Sequence, residues 1–211
     1  MRMRFFVALI AASLAFVVWR SENGRTPVLP FYADSTLTPI WTADTASVHR
    51  IGAFSLVDQR GRGVSEMDLS GRITVVTFFY ATCKDLCPRL RSRLAAVRAA
   101  FRDDPRVLLV SISVAPEHDT APVLAAYASA NHIAAPDWLL LTGPRVDIQR
   151  VARASFFATT PLLGASPATH GETTWLVDRS RRIRGLYNGT LPLDSRRLME
   201  DIATLAGSRG G

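Results

Sequence analysis

The clearest pattern in the chain is a buried strand followed by an amphipathic helix. Residues 73–80, I-T-V-V-T-F-F-Y, form a continuous β-branched and aromatic run, which is typical of a central strand covered on both faces. After a short loop, apolar side chains recur at helical spacing, and Pro88 suits the first turn of that helix. The residues on the apolar stripe are Leu90, Leu94, Val97 and Phe101.

The same alternation continues along the next part of the chain. Residues 107–114 predict a second buried strand. Asp119 is a candidate N-cap for a helix that runs to about Asn131. Residues 138–141 predict another short strand and residues 145–155 another helix.

Two predicted hairpins flank this alternating region. Residues 174–177 pair naturally with residues 183–187 across a tight turn, and a last helix ends at Gly207. Residues 53–57 and 61–64 predict a small hairpin ahead of the first long strand.

Strands and helices in this order predict an α/β fold with a mixed central sheet and an N-terminal hairpin extension. The two cysteines follow the first long strand where it meets its helix, which is the thioredoxin arrangement. Since ligands of open α/β sheets bind beyond the carboxyl ends of the strands, the cysteine loop is where we expect the chemistry.

The N-terminal segment predicts membrane attachment. Residues 1–20 begin M-R-M-R and continue with fifteen uncharged residues that end at Trp19, before Arg20. A cleaved signal peptide would end in small residues, so the pattern favours an uncleaved single transmembrane anchor, with a signal peptide as the alternative. The basic N-terminus predicts that the remainder lies outside the cytoplasm, in the bacterial periplasm or outside the cell.

The segment after the anchor divides the chain further. Residues 21–46 contain three prolines and no clear periodicity, which predicts a flexible tether. Residues 47–206 are then the folded domain, and residues 207–211 a short tail.

The net charge of +7 comes without a nucleic-acid-binding signature, so we expect no nucleic-acid partner. Four arginines surround the predicted C-terminal hairpin turn. A solvated charged turn is the simpler interpretation, and a docking surface for an acidic partner or lipid headgroups is the alternative. These residues are Arg179, Arg181, Arg182 and Arg184.

The chain has two cysteines, Cys83 and Cys87, in the sequence C-K-D-L-C-P. At this spacing the β-carbons lie roughly 5 to 6 Å apart on one helical face, which suits a shared metal ion. A disulfide needs a separation nearer to about 3.8 Å, so one here requires local adjustment and is expected to be labile. Paired thiolates select soft metals, above all Cu(I).

A neutral imidazole is a common additional ligand beside such thiolates. His170 precedes the strand predicted at residues 174–177, and in a thioredoxin-like layout that loop faces the cysteine loop. His118, in the loop after the second buried strand, is the rival candidate. His49 and His132 fit ordinary structural positions better.

The chain resembles the Sco/SenC family of membrane-anchored, thioredoxin-like copper proteins, which assist assembly of the binuclear copper centre of cytochrome c oxidase. The resemblance extends from residue 51 to about residue 205. It is carried by F-S-L-V-D-Q at 54–59, F-F-Y-A-T-C-K-D-L-C-P at 78–88, residues 111–120, L-T-G at 141–143, and His170 with W-L-V-D at 175–178.

The resemblance implies that Cys83, Cys87 and His170 are copper ligands. Cu(I) is the expected ion, and binding of Cu(II) as well is left open. It further implies a copper metallochaperone whose partners are the copper-centre subunit of the oxidase and a periplasmic copper donor. The alternative function is a thiol-disulfide reductase, in which Cys83 and Cys87 are the catalytic redox pair. The C-x-x-x-C spacing, in place of C-x-x-C, argues against this alternative.

Overall fold

A seven-stranded mixed sheet forms the centre of the fold. The computed structural model describes residues 29–33, 36–46, 48–133, 137–158 and 172–208. Within them the strands are β1 (Phe31–Tyr32), β2 (Pro39–Ile40), β3 (Ser55–Asp58), β4 (Gly63–Ser65), β5 (Ile73–Phe79), β6 (Val107–Ser113), β7 (Trp138–Thr142), β8 (Thr173–Val177) and β9 (Ile183–Asn188).

The sheet order is β4-β3-β7-β6-β5-β8-β9. Strands β5, β6 and β7 run parallel, while β3, β4, β8 and β9 pair antiparallel. All seven residues of β5 are buried, because this strand lies inside the sheet and is covered on both faces. The predicted α/β fold with a mixed central sheet is confirmed. The short strands β1 and β2 pair separately.

Helices cover both faces of the sheet. They are α1 (Leu86–Ala100), α2 (Ala121–Ala130), α3 (Arg145–Phe156) and α4 (Pro192–Gly207), with a single 3-10 turn at Glu66–Leu69. The apolar residues of α1, α2 and α4 pack on the face that carries Ile73 and Val75. Those of α3 pack on the face that carries Val76 and Phe78. Successive residues of β5 therefore supply two separate cores.

The predicted N-terminal hairpin is present, but both of its strands begin two residues later than predicted, with β3 at Ser55–Asp58 and β4 at Gly63–Ser65. The carboxylate of Asp58 accepts hydrogen bonds from the backbone N–H groups of Arg60 and Arg62, at 2.8 and 2.9 Å. These bonds stabilise a turn over residues 58–62, and β4 therefore begins only at Gly63.

The prediction that Asp119 caps helix α2 is wrong. The N-cap is Thr120, and no side chain caps the helix. Asp119 is fully buried, and its carboxylate turns back toward the end of β5.

The expectation of a solvated arginine cluster is wrong for Arg182 and Arg184, which are 6% and 7% exposed. Arg184 pairs with Asp178 at 3.2 Å and donates to the backbone oxygen of Leu29 at 2.6 Å. Its guanidinium lies 4.0 Å from the ring centroid of Phe31. A part of the predicted tether thus packs against β9.

The predicted membrane anchor, residues 1–20, lies outside the described residues. Within the part of the chain that the structure describes, no helix is both long and apolar enough to span a bilayer.

Candidate functional site

The two cysteines occupy the junction between β5 and α1. Strand β5 ends at Phe79 and α1 begins at Leu86, so Cys83 lies in the connecting loop and Cys87 in the first helical turn. Cys83 is partly exposed and Cys87 is 4% exposed; both are free thiols. Pro88 is tolerated in this turn because the first N–H groups of a helix have no partner within it. One sulfur therefore faces outward and the other inward.

The sulfur of Cys83 takes the position that a capping oxygen usually occupies at a helix N-terminus. The backbone N–H of Cys87 donates to Cys83 Sγ at 3.2 Å. Asp85 is the N-cap residue by position, but its side chain makes no capping hydrogen bond. Because the helix N-terminus carries partial positive charge, this arrangement favours the thiolate form of Cys83.

The pKa values of the two thiols are shifted in opposite directions. Partial burial raises the pKa of Cys83, but hydrogen bonds from Cys87 and from the backbone of Asp85 outweigh it, so the pKa lies below that of an ordinary cysteine. Burial and the hydrogen bond shared with Cys83 raise the pKa of Cys87 to about 12. In the metal-free pair Cys83 is therefore the stronger acid and the better nucleophile, while Cys87 stays protonated.

Tyr80 is a third member of the site that sequence reasoning missed. Its hydroxyl hydrogen-bonds to Cys83 and contributes to the lowered pKa of that thiol. Burial and the negative charge on Cys83 raise the pKa of Tyr80, so the hydroxyl keeps its proton and donates a hydrogen bond to the sulfur. Its position three residues before Cys83 was the available signal, since a side chain there emerges from the end of β5 beside the loop.

Asp119 also reaches the cysteine loop. Its Oδ2 accepts a hydrogen bond from the backbone N–H of Ala81 at 2.9 Å, two residues before Cys83. The local D-T pattern suggested a helix cap, so the sequence alone pointed to the wrong partner for this carboxylate.

The inner side of the site is closed. Beneath Cys87 lies a cavity of about 10 Å³ whose lining includes Thr77, Ser111 and Tyr127. This volume corresponds to about one water molecule. Arg91 donates to the Tyr127 hydroxyl at 3.3 Å on the same side. A metal ion or a substrate therefore has access to the pair from the Cys83 side.

His170, the predicted third ligand, lies outside the described residues. Strand β8 starts at Thr173 and runs antiparallel to β5, with Thr174 paired to Thr77. The chain that leads into β8 therefore enters the sheet at the edge where β5 ends and the cysteine loop begins.

The structure does not bring another histidine into the pair. Among the described residues, no group of three His, Cys, Asp or Glu side chains is close enough to hold a metal ion. His118, the rival candidate, is exposed on the β6–α2 loop. His49 lies elsewhere, with Nε2 3.0 Å from the oxygen of Ser155 and its ring 4.4 Å from that of Phe157.

Comparisons with known proteins agree with this architecture. The chain is 29% identical to SenC of Rhodobacter capsulatus over 175 residues, which cover 81% of this chain and 78% of that protein. It is 35% identical to the mitochondrial SCO1 homolog 1 of Arabidopsis thaliana, over 49% of this chain but only 30% of that longer protein.

Among solved structures, copper-bound ScoI of Bradyrhizobium japonicum superimposes with a TM-score of 0.60 at 27% sequence identity, covering 73% of this chain and 98% of that one. The SCO1/SenC family model matches residues 42–207, which include the seven-stranded sheet and the four helices of the described residues. The chain belongs to the SCO1/SenC family.

Proposed function

We propose that this protein is a copper metallochaperone that binds Cu(I) through Cys83, Cys87 and His170. We further propose that it delivers copper to the binuclear copper centre of cytochrome c oxidase, taking it from a periplasmic donor. The observation that carries the proposal is the pair of free thiols at the start of α1, one partly exposed and one buried. Membership of a family that includes a copper-bound structure supports it.

The chemistry of the pair fits copper as a transferable cargo. Soft thiolate ligands select Cu(I) over harder ions, and an imidazole completes a three-ligand set. The backbone N–H of Cys87 stabilises the Cys83 thiolate at 3.2 Å before any metal arrives. Cys87 must lose its proton when the ion binds, so loading releases protons. Because Cys83 is partly exposed, an incoming ligand of a partner can approach the ion from that side.

The assignment of His170 rests on its sequence position. It stands two residues before Glu172, whose backbone oxygen accepts a hydrogen bond from Gly189 at the cysteine-bearing end of the sheet. His118 follows the neighbouring strand but joins no group of potential ligands in the described part of the chain.

A competition titration tests this function. The reduced full-length protein is titrated anaerobically with Cu(I) against a chelator, as wild type, His170→Ala and His118→Ala. We expect one tight site, lost or strongly weakened in His170→Ala and retained in His118→Ala. Weak binding that is indifferent to His170 would overturn the three-ligand proposal.

A thiol-disulfide reductase is the second candidate, and the unequal thiols favour it. In this reaction the Cys83 thiolate attacks a target disulfide, forms a mixed disulfide and releases one target thiol. Cys87 then loses its proton and attacks Cys83 Sγ, which releases the second target thiol and leaves a Cys83–Cys87 disulfide. His170→Ala separates the two functions, since it should impair copper retention and leave disulfide exchange largely intact.

The sequence pattern also supports a location for this function. We propose that residues 1–20 anchor the protein in the bacterial inner membrane and that residues 47–206 form the domain outside the cytoplasm. Protease treatment of spheroplasts should degrade the domain of an intact, membrane-bound chain. Protection from protease would place the domain on the cytoplasmic side and contradict the proposal.

A further inference from the structure

Asp119 is a buried carboxylate whose contacts all point away from the helix that it precedes. It is 0% exposed. Its Oδ2 accepts hydrogen bonds from the backbone N–H of Ala81 at 2.9 Å and from the hydroxyl of Ser113 at 2.5 Å. Its Oδ1 is buried and has no hydrogen-bond partner among the described residues. A half-paired buried carboxylate carries a desolvation cost, so fold stability alone does not account for it.

These bonds join the β6–α2 loop to the cysteine loop. The Ser113 hydroxyl also accepts a hydrogen bond from the backbone N–H of Ala115 at 3.1 Å. The backbone N–H of Val114 donates a hydrogen bond to the backbone oxygen of Phe79 at 2.8 Å. The end of β5 is therefore held by a backbone bond at Phe79 and by the Asp119 carboxylate at Ala81. Cys83 is the second residue beyond that carboxylate contact.

We propose that Asp119 is a positioning residue that holds the cysteine loop in its open dithiol geometry. The side chains of Cys83 and Cys87 share a hydrogen bond, so the two sulfurs are in contact but not bonded. A disulfide brings the sulfurs to about 2.05 Å, so closing the bond pulls Cys83 toward α1 and strains the loop that Asp119 holds. We call the hydrogen bond between Asp119 and the Ala81 N–H the Asp119 clamp. This clamp favours the arrangement that accepts a metal ion and disfavours the disulfide.

This inference makes two predictions with opposite signs for Asp119→Ala. The prediction for Cu(I) affinity rests on the proposed function. Cu(I) affinity should fall by about tenfold, the lower end of the effect seen when groups that orient metal ligands are lost. The equilibrium constant for disulfide formation should rise by about tenfold, since the hydrogen bond from the Ala81 N–H to Asp119 no longer opposes closure.

The disulfide constant is measured in glutathione buffers. The two thiols lose two protons and two electrons to form the Cys83–Cys87 disulfide, while one glutathione disulfide is reduced to two glutathione molecules. Ser113→Ala is the matched control, because it removes one hydrogen bond of the same carboxylate and leaves the bond to Ala81. Asp119→Asn is the rescue, because its amide oxygen can accept the Ala81 N–H.

The expected result is weaker copper binding and easier disulfide formation in Asp119→Ala, with both values near wild type in Ser113→Ala and Asp119→Asn. If Asp119→Ala matches Ser113→Ala in both values, or shifts both in the same direction, the clamp is overturned. If wild type fails to bind Cu(I), the proposed function fails, while the glutathione equilibrium still tests the clamp.

A measurement on wild type removes any dependence on how the variants fold. Amide hydrogen exchange of Ala81 should be slow in the dithiol protein and clearly faster in the disulfide form. Equal exchange rates in the two forms would overturn the inference.

Discussion

The backbone N–H of Cys87 points at the sulfur of Cys83, 3.2 Å away, so the second cysteine of the pair helps to ionise the first. The contact exists because α1 begins at Leu86 and leaves the N–H groups of its first turn without partners in the helix. Cys83 stands just before that turn. The C-x-x-x-C spacing thereby makes the two thiols unequal, with the pKa of Cys83 lowered and that of Cys87 raised.

This asymmetry predicts selective alkylation of the reduced, metal-free protein. Because the pKa of Cys83 is lowered and that of Cys87 is raised to about 12, iodoacetamide at neutral pH should modify Cys83 almost exclusively. The rate of Cys83 alkylation should rise with pH and reach its plateau at a lower pH than the rate for an ordinary cysteine. Mass spectrometry of peptides from the two sites measures this directly. Modification of Cys87 at a comparable rate would contradict the assignment.

Tyr80→Phe should make Cys83 a weaker acid. The substitution removes the hydroxyl that hydrogen-bonds to Cys83 and retains the ring. The loss of this hydrogen bond should raise the Cys83 pKa, because the bond favours the ionised sulfur. The pH profile of alkylation reads this shift. Tyr127→Phe is the control, since the Tyr127 hydroxyl accepts from Arg91, and an equal shift in both variants would refute a specific role for Tyr80.

Arg184→Met should destabilise the fold by about 3 kcal/mol or more, because it leaves the buried carboxylate of Asp178 without its ion-pair partner. It should also release the backbone of Leu29 and Pro30, to which Arg184 donates. Urea unfolding measures the loss of stability, and limited proteolysis near residue 30 measures the release of this segment.

Arg197→Met is the control, because it removes a largely exposed ion pair with Asp194 and should lower the free energy of unfolding by less than about 1 kcal/mol. Similar costs for the two variants would contradict the structural role of Arg184.

Asp58 should contribute to stability in a pH-dependent way. Burial opposes its ionisation, but hydrogen bonds from the backbone and side chains of Arg62 and Arg60 outweigh it and lower its pKa. For a lowered pKa, the stabilisation is full above the unfolded-state value near 4 and is lost as the pH falls toward the folded-state value. Asp58→Asn should be less stable at pH 7 and show a smaller loss of stability below pH 4. An unchanged acid profile would contradict this role.

The sequence predicted the features that depend on local pattern. The apolar run of β5 and the stripe of Leu90, Leu94 and Val97 on α1 are periodic, and all of these residues are buried. The cysteine pair was placed correctly at the strand–helix junction, because that placement follows from chain order. The order of helices and strands therefore sufficed to place the two cysteines between β5 and α1.

Two of the contacts that the sequence did not predict join distant segments. Asp119 had a plausible local role as a helix cap, yet it bonds to Ala81, 38 residues earlier. Arg184 stood in a charged turn, yet it is buried against Leu29, 155 residues earlier. Residue type and spacing carry no information on which loops meet, so these partners required the tertiary structure.

X-ray absorption of the Cu(I)-loaded protein counts the ligand atoms around the metal and so decides whether Cys83, Cys87 and His170 hold it. We expect two sulfur neighbours and one nitrogen neighbour, with the nitrogen absent in His170→Ala and present in His118→Ala. A site with sulfur ligands alone, or a nitrogen that survives the loss of His170, would contradict this expectation.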